Sequence, residues 1–226
     1  MEDGKVMNNL NVLYEDNHVI VVEKPINMLS QSDSTGDIDL LTLVKKYVKV
    51  KYNKPGNVYI GLLHRLDRPV GGVMVFARSS KAASRLCNDI KNHVNFDKTY
   101  LAVVSGIIDN DSGKFVDNLY KLENGNTIIS DKGKKSVLYY EVIDRNIEKN
   151  MSLVRIKLET GRHHQIRVQF ASRGYPLCGD QRYGKKDNTQ LALFAYKLAF
   201  LHPVLKTKME FCVLPPKKGY WTFFTM

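Results

Sequence analysis

Cysteine is scarce in this sequence, whose 226 residues include only Cys87, Cys178 and Cys212 and no C-x-x-C pair. An odd number at wide spacing argues against a disulfide framework and against a zinc ribbon. It favours a reducing compartment. No apolar run approaches the roughly 20 residues that cross a bilayer, so no membrane segment is expected. The charged start at Met1–Lys5 lacks the apolar stretch of a secretory signal. The sequence therefore predicts a cytoplasmic protein.

Internal repeats, low-complexity tracts and Pro/Ser-rich linkers are also absent, so no internal boundary is visible. The hydrophobic content of 43% is sufficient for a packed core and excludes a disordered chain. We therefore expect residues 1–226 to form a single domain.

Acidic residues are outnumbered, 23 against 34 Lys and Arg, which gives a formal net charge of +11. The imbalance is uneven. Residues 1–60 contain 7 basic and 8 acidic residues, whereas residues 151–226 contain 13 basic and 4 acidic ones. Concentrated positive charge is typical of proteins that bind a polyanion, because phosphate neutralisation releases counterions. Charge alone leaves open a basic protein with no nucleic-acid partner.

The pattern of apolar residues predicts more strands than helices. The predicted strands are Val12–Tyr14, Val19–Val22, Val73–Ala77, Thr99–Val104, Leu138–Ile143, Ser152–Leu158 and Gln165–Phe170. One predicted helix is capped by Asp37 or Asp39, and a second, with Val94 at the end of its apolar face, by Ser79 or Ser80. Residues 191–200 fit either a helix or a strand. Regular βαβ alternation is missing, so we expect an α+β fold with a mixed, largely antiparallel central sheet and flanking helices.

A first polar segment, residues 62–72, precedes a predicted buried strand and contains Pro69 and paired glycines. Proline and glycine favour an irregular turn that presents side chains and lets a ligand backbone come close. Its charged and polar side chains are His64, Arg65, Asp67 and Arg68. An aspartate beside arginines is also compatible with a structural salt bridge.

A second polar segment spans residues 159–170. If residues 163–170 are extended, His163, Gln165 and Arg167 share one face, and an arginine there can hold a carboxylate in a two-pronged pair. Adjacent histidines on a strand point to opposite faces, and no third ligand follows at a recognisable spacing. No metal site is predicted.

A third segment, Lys98–Gly106, reads K-T-Y-L-A-V-V-S-G. Together with H-R-L-D at 64–67 and T-G-R-H-H-Q-I-R at 160–167, it resembles the motifs of the RluA-type family of RNA pseudouridine synthases. Supporting resemblances lie at residues 13–25, 179–184 and 191–203. The resemblance extends from about Leu10 to the C-terminus.

This resemblance implies an enzyme that isomerises uridines in structured rRNA or tRNA without a metal, nucleotide or redox cofactor. It implies that Asp67 is the catalytic residue, that Tyr100 deprotonates carbon 5 of the base, and that Arg167 pairs with Asp67. It further implies that Arg65 helps to displace the flipped base. The predicted RNA-binding residues are His64, Arg65, Arg68, Arg162, His164 and Gln165. We expect a monomer.

Three departures from the family pattern are visible. The turn after the H-R-L-D motif often contains a Thr-Ser pair in the family, where this sequence has Val70-Gly71, and Phe194 stands where many members have histidine. Only about ten residues precede the first predicted strand, so no N-terminal S4-type RNA-binding module is expected. Two alternatives remain open: an inactive RNA-binding or ribosome-assembly factor on the same fold, and a hydrolase that cleaves an N-glycosidic bond.

Overall fold

The computed structural model describes residues 10–225 and divides the chain into two compact units. The first unit is drawn from Met1–Phe96 and Lys197–Val213, and the second from Asp97–Tyr196 and Leu214–Met226. The charged start at Met1–Lys5 lies outside the described residues. The expectation of a single domain over residues 1–226 stays a prediction.

The first unit contains a hairpin that the sequence predicted. Strands β1 (Val12–Glu15) and β2 (Val19–Lys24) pair in antiparallel fashion. Asp16 shapes their turn, because its Oδ1 accepts hydrogen bonds from the backbone N–H groups of His18 and Val19 at 2.7 and 2.8 Å. An aspartate that binds the backbone two or three residues ahead is a strong turn former.

The other strands of this unit extend that pairing. β4 (Gly71–Ala77) pairs with β2 and with the short β3 (Gly61–Leu62), and both pairs are antiparallel. Every residue of β4 is buried, as its apolar and β-branched sequence requires. Later in the chain, the Lys197–Leu201 part of β10 (Leu193–Leu201) pairs with β11 (Lys208–Cys212). Residues 191–200, which fitted either a helix or a strand, therefore contain a strand.

Two helices belong to the first unit, α1 (Leu40–Lys51) and α2 (Ser80–Lys91). Of the alternative caps, Asp39 and Ser79 accept hydrogen bonds from the backbones of Thr42 and Ala82. α2 ends at Lys91, so the expected helical position of Val94 was wrong. His93, with a φ of 56°, has left the helical region before Val94 is reached. Buried side chains of β2, β4, α2, β10 and Phe96 form one core: Val19, Val21, Val73, Val75, Leu86, Phe96, Leu198 and Phe200.

The second unit is built on an antiparallel set of strands in the order β5-β9-β8-β6-β7. Their bounds are Phe96–Ser105 for β5, Ser112–Lys121 for β6, Thr127–Ile129 for β7, Lys134–Asn146 for β8 and Met151–Leu158 for β9. Strands β6 and β7, like β3 and β11, were not predicted. A 3-10 helix spans Gly219–Phe223. The α+β class with largely antiparallel strands is confirmed.

Helix α3 (Gln165–Ala171) corrects the sequence prediction, which placed a strand at Gln165–Phe170. The alternation that suggested a strand did not separate an exposed face from a buried one, because all six residues from Gln165 to Phe170 are buried. The spacing also suits a helix, with Ile166 and Phe170 four residues apart. Phe170 packs against the rings of Phe115 and Tyr140, with centroids 5.0 and 5.8 Å away.

No helix within residues 10–225 is both long enough and apolar enough to cross a membrane.

Candidate active site

The segment that carries Asp67 lies in the first unit, between β3 and β4. Its backbone is anchored at Leu66, whose N–H donates to Ser30 Oγ at 3.1 Å and whose carbonyl accepts from the same hydroxyl at 2.7 Å. One residue later, the carbonyl of Asp67 accepts from the N–H of Val70 at 3.0 Å and closes a turn. Asp67 is half-buried. Its main chain is therefore held on both sides.

Lys24, the last residue of β2, reaches the same segment. Its side chain is fully buried, and Nζ donates to the carbonyls of Pro25 at 3.0 Å and Arg68 at 3.1 Å, and also to that of Met28. Burial lowers the pKa of Lys24 to about 7, although the charge of Asp67 acts in the opposite direction. Lys24 thus ties the loop after β2 to the residue that follows Asp67.

The other predicted residues of this segment differ in exposure. The half-buried His64 accepts a hydrogen bond at Nε2 from the N–H of Val75 at 3.2 Å, and its ring lies edge-on to Phe96 with centroids 5.5 Å apart. Arg65 and Arg68 are exposed. Arg68 pairs with Asp37 at 2.7 Å, and both side chains are about half exposed. The two arginines are therefore accessible to a polyanion.

Tyr100 lies in the second unit, in β5 opposite Ile156 of β9, and is buried. Lys98 precedes it by two residues on the same strand face. Burial lowers the pKa of Lys98. A Cβ on Gly161 would lie 2.8 Å from Lys98 Nζ, so the glycine leaves room for this ammonium group. The sequence segments 98–106 and 160–167 therefore meet at this point.

Gln165 organises the loop that leads into α3. Its Oε1 accepts from Thr160 Oγ1 at 2.9 Å and from the N–H of Arg162 at 3.0 Å. Its Nε2 donates to the carbonyl of Val137 in β8 at 3.1 Å. Because Gln165 is buried and these bonds are internal, it fixes the backbone of Arg162, whose own side chain is exposed.

Arg167 forms a two-pronged pair with Asp180. Its Nε donates to Oδ2 at 2.8 Å and its Nη2 to Oδ1 at 2.7 Å. Arg167 and Asp180 side chains are 8% and 0% exposed, so the pair is buried. Burial alone would raise the pKa of Asp180, but hydrogen bonds and charge from Arg167, together with two backbone N–H donors, hold that pKa below its usual value.

A hydrogen-bonded network surrounds His164, the residue before α3. Its Nδ1 lies 2.8 Å from the hydroxyl of Tyr183, which also accepts from the N–H of Thr127 at 2.8 Å. The ring of His163 stacks on His164 with centroids 3.7 Å apart, and its Nδ1 lies 2.9 Å from Thr127 Oγ1. Burial, followed by the charges of Arg167 and His163, lowers the pKa of His164 to about 3. His164 is therefore neutral at physiological pH.

The predicted site residues thus form two groups, each within one unit. His64, Arg65, Asp67 and Arg68 share the segment between β3 and β4. Arg162, His164, Gln165 and Arg167 share the loop and first turn of α3, with Tyr100 in a strand of the same unit. Among residues 10–225, no group of three or more His, Cys, Asp or Glu side chains is arranged to hold a metal ion.

A family model described as RNA pseudouridylate synthase matches residues 18–172, which is more than half of the chain. The chain belongs to the RNA pseudouridylate synthase family. The matched region contains Asp67, Tyr100 and Arg167. Membership of this family makes the protein an isomerase whose substrate class is RNA.

Relatives in the family are similar over most of this chain. An uncharacterized RNA pseudouridine synthase of Aquifex aeolicus is 30% identical, over 92% of this chain and 70% of that protein. Ribosomal large subunit pseudouridine synthase D of Zymomonas mobilis is 30% identical, over 89% of this chain and 68% of that protein. The chain therefore spans about two thirds of the length of these pseudouridine synthases.

A solved structure has the same fold. Human RNA pseudouridylate synthase domain containing 4 aligns with a TM-score of 0.78 over 98% of this chain and 95% of its own. The sequence identity is 19%, so this likeness concerns the fold alone.

Sequence reasoning gave no role to Asp180 or Tyr183, although it noted the segment 179–184 that contains them. A signal was available in Gly179, which has a φ of 72° and where a Cβ would clash with the carbonyl of Gln190. A glycine required by both its φ and its surroundings marks a turn of fixed shape. The side chains beside such a turn are candidates for a positioning role.

Proposed function

We propose that this chain converts specific uridines in structured ribosomal or transfer RNA to pseudouridine, with Asp67 as the catalytic residue. The observation that carries the proposal is the family match over residues 18–172, within which Asp67 stands in the family's H-R-L-D motif. The excess of 13 basic over 4 acidic residues in 151–226 supports a polyanionic substrate. The printed name of the Zymomonas mobilis relative favours large-subunit ribosomal RNA as the first substrate to test.

The proposed reaction is an isomerisation that needs no cofactor. The bond between C1′ of the ribose and N1 of uracil breaks, the base rotates, and C1′ joins carbon 5, whose hydrogen is lost to solvent while N1 gains a proton. A stacked uridine is out of reach until it leaves the helix, at a cost of about a few kcal/mol. We propose that the base is flipped into a basic cleft, where phosphate contacts and stacking offset this cost.

The site residues take distinct roles in this proposal. Asp67 acts on the sugar or base in its ionised form, and Arg167 supplies the positive charge that keeps a half-buried carboxylate ionised. Tyr100 removes the hydrogen at carbon 5. Exposed cationic side chains bind the RNA backbone, and neutral His164 acts as a hydrogen-bonding group. The proposed RNA contacts are His64, Arg65, Arg68, Arg162, His164 and Gln165, the last acting through the backbone of Arg162.

We further propose that the chain works as a monomer in the cytoplasm. Neither property is required by the chemistry above. Both are measured directly, the first by sedimentation of the purified chain with and without RNA, and the second by fractionation of cells that express it.

The proposal is tested by incubating the purified chain with large-subunit ribosomal RNA and with transfer RNA, each labelled with tritium at uridine carbon 5. Release of tritium to water, followed by mapping of pseudouridine in the same RNA, supports it. Release of free uracil would instead indicate a hydrolase. Tight RNA binding without any release would indicate an RNA-binding factor.

A further inference from the structure

The second unit contains two arginine–aspartate pairs of similar form but different surroundings. Arg167 and Asp180 are 8% and 0% exposed, whereas Arg173 and Asp117 are 30% and 12% exposed. Arg173 also uses two prongs, with Nη1 2.9 Å from Asp117 Oδ2 and Nη2 3.2 Å from Oδ1. Only the first of these two pairs involves a residue to which the proposed function assigns chemistry.

Asp180 is itself rigidly held. Its Oδ1 accepts hydrogen bonds from the backbone N–H groups of Arg182 at 2.9 Å and Tyr183 at 3.1 Å, in addition to its bond from Arg167. The turn begins at Gly179, whose backbone conformation and close neighbours exclude a side chain. The carboxylate is therefore fixed by its own turn.

The same turn also contacts the face of the guanidinium. Arg167 Cζ lies 5.2 Å from the ring centroid of Tyr183, within the range of a cation–π contact. Asp180 thus holds one edge of the planar group and Tyr183 lies against its face. A planar fork held at one edge and one face cannot rotate freely.

Fixing this edge has a directional consequence. Nε and one N–H of Nη2 point to Asp180, so the plane of the guanidinium and the directions of its other N–H groups are set by that carboxylate. Stability is a weaker explanation, because a buried ion pair often contributes little compared with apolar residues of the same volume. Directional control is the property that a buried two-pronged pair provides.

We propose that Asp180 is the positioning residue for Arg167, and that it orients the guanidinium toward the reacting carboxylate and substrate. This inference rests on the proposed function, in which Arg167 assists Asp67. Asp180 itself touches no reacting atom in this scheme. Its loss should slow the chemical step while RNA binding is retained, because misplacement of a catalytic group by about 1 Å can cost on the order of 100-fold.

The test measures single-turnover tritium release from large-subunit ribosomal RNA labelled at uridine carbon 5. Asp180→Asn keeps the shape of the side chain but loses its charge, and Asp180→Glu keeps the charge but moves it by one methylene. Each should lower the rate constant by about 10- to 100-fold, with RNA affinity within a few-fold of wild type. If one variant folds poorly, the other carries the test.

Asp117→Asn is the matched control, because it disrupts the other two-pronged pair in the same unit. Its rate constant should equal that of the wild type. A second comparison repeats Asp180→Asn in the Arg167→Lys background, where no guanidinium fork remains. If Asp180 acts through Arg167, the substitution should there slow the reaction by no more than a few-fold, because effects within one network are not additive.

Two results would overturn the inference alone while the wild type is active. One is an Asp180→Asn enzyme with a lowered melting temperature but a wild-type rate constant, which would make the pair merely structural. The other is an equal slowing in the wild-type and Arg167→Lys backgrounds. If the wild type itself releases no tritium, the proposed function fails and the inference falls with it.

Discussion

The ammonium group of Lys24 donates a hydrogen bond to the backbone carbonyl of Arg68 at 3.1 Å, across 44 positions of sequence. The same group donates to the carbonyls of Pro25 and Met28, so all three of its hydrogens have partners. No part of the Lys24 side chain is exposed. The residue next to Asp67 is therefore fastened to the end of β2 by a buried cation.

Replacing Lys24 with methionine should destabilise the protein by about 2–4 kcal/mol, because it leaves carbonyl groups without their buried donor. Burial of the apolar methionine offsets part of that loss. Denaturant unfolding measures the difference. Lys45→Met, at an exposed position of α1, is the control and should change stability by less than about 0.5 kcal/mol. Equal stability of the two variants would refute the role given to Lys24.

Removing the hydroxyl of Tyr183 should release the hydrogen bonding of His164. In Tyr183→Phe, the N–H of the buried Thr127 and Nδ1 of His164 lose their shared partner, which should cost about 1–3 kcal/mol. We also expect wild-type His164 to carry its proton on Nε2, since the Tyr183 hydroxyl donates to Nδ1. Nitrogen NMR of the imidazole identifies the tautomer.

Tyr139→Phe provides the control for that experiment. Tyr139 is exposed, and its hydroxyl donates to Glu159 at 2.9 Å, so its loss should change stability by less than about 0.5 kcal/mol. An unchanged tautomer and unchanged stability in Tyr183→Phe would contradict the network.

The lowered pKa of His164 predicts a loss of stability in acid. Its pKa is 6.5 in the unfolded reference and about 3 in the folded protein, with burial as the main cause. Between these values the unfolded chain binds more protons, so the free energy of unfolding falls as pH falls. His164→Gln should make this decline shallower from pH 6.5 downward, as measured by urea unfolding across pH. His93→Gln, at an exposed position, should leave the slope unchanged.

The sequence predicted the elements of this fold where local chemistry was decisive, as at the Asp16 turn, the Ser79 cap and the buried strand β4. It failed at α3, because the residues from Gln165 to Phe170 are buried on all sides and a period of two is then uninformative. The structure turned that expected strand into a helix. Alternation in sequence identifies a strand only when one face meets water.

The site shows the same division. The resemblance pointed to Asp67, Tyr100 and Arg167, but not to the buried partner that holds the guanidinium of Arg167. Asp180 lies 13 positions away in sequence, and its pairing depends on the turn of fixed shape that begins at Gly179. Spacing alone does not predict such a contact.

Removing the charges of Lys185 and Lys186 tests whether their exposed loop touches phosphate. The double glutamine variant should bind RNA more weakly, and the slope of log affinity against log salt should decrease by about 0.7 to 0.9 per lost phosphate contact. Lys45→Gln with Lys49→Gln makes the same change of charge on the exposed face of α1 and should leave the slope unaltered. An unchanged slope in the first variant would exclude this loop from the interface.

The most direct test of the account compares wild type and Asp67→Asn for tritium release from ribosomal and transfer RNA labelled at uridine carbon 5. Asp109→Asn, at an exposed loop carboxylate, is the control. The account predicts release by the wild type and the control, and none by Asp67→Asn, which should remain folded and bind RNA within a few-fold of wild type. Undiminished release by a folded Asp67→Asn protein would contradict the central claim.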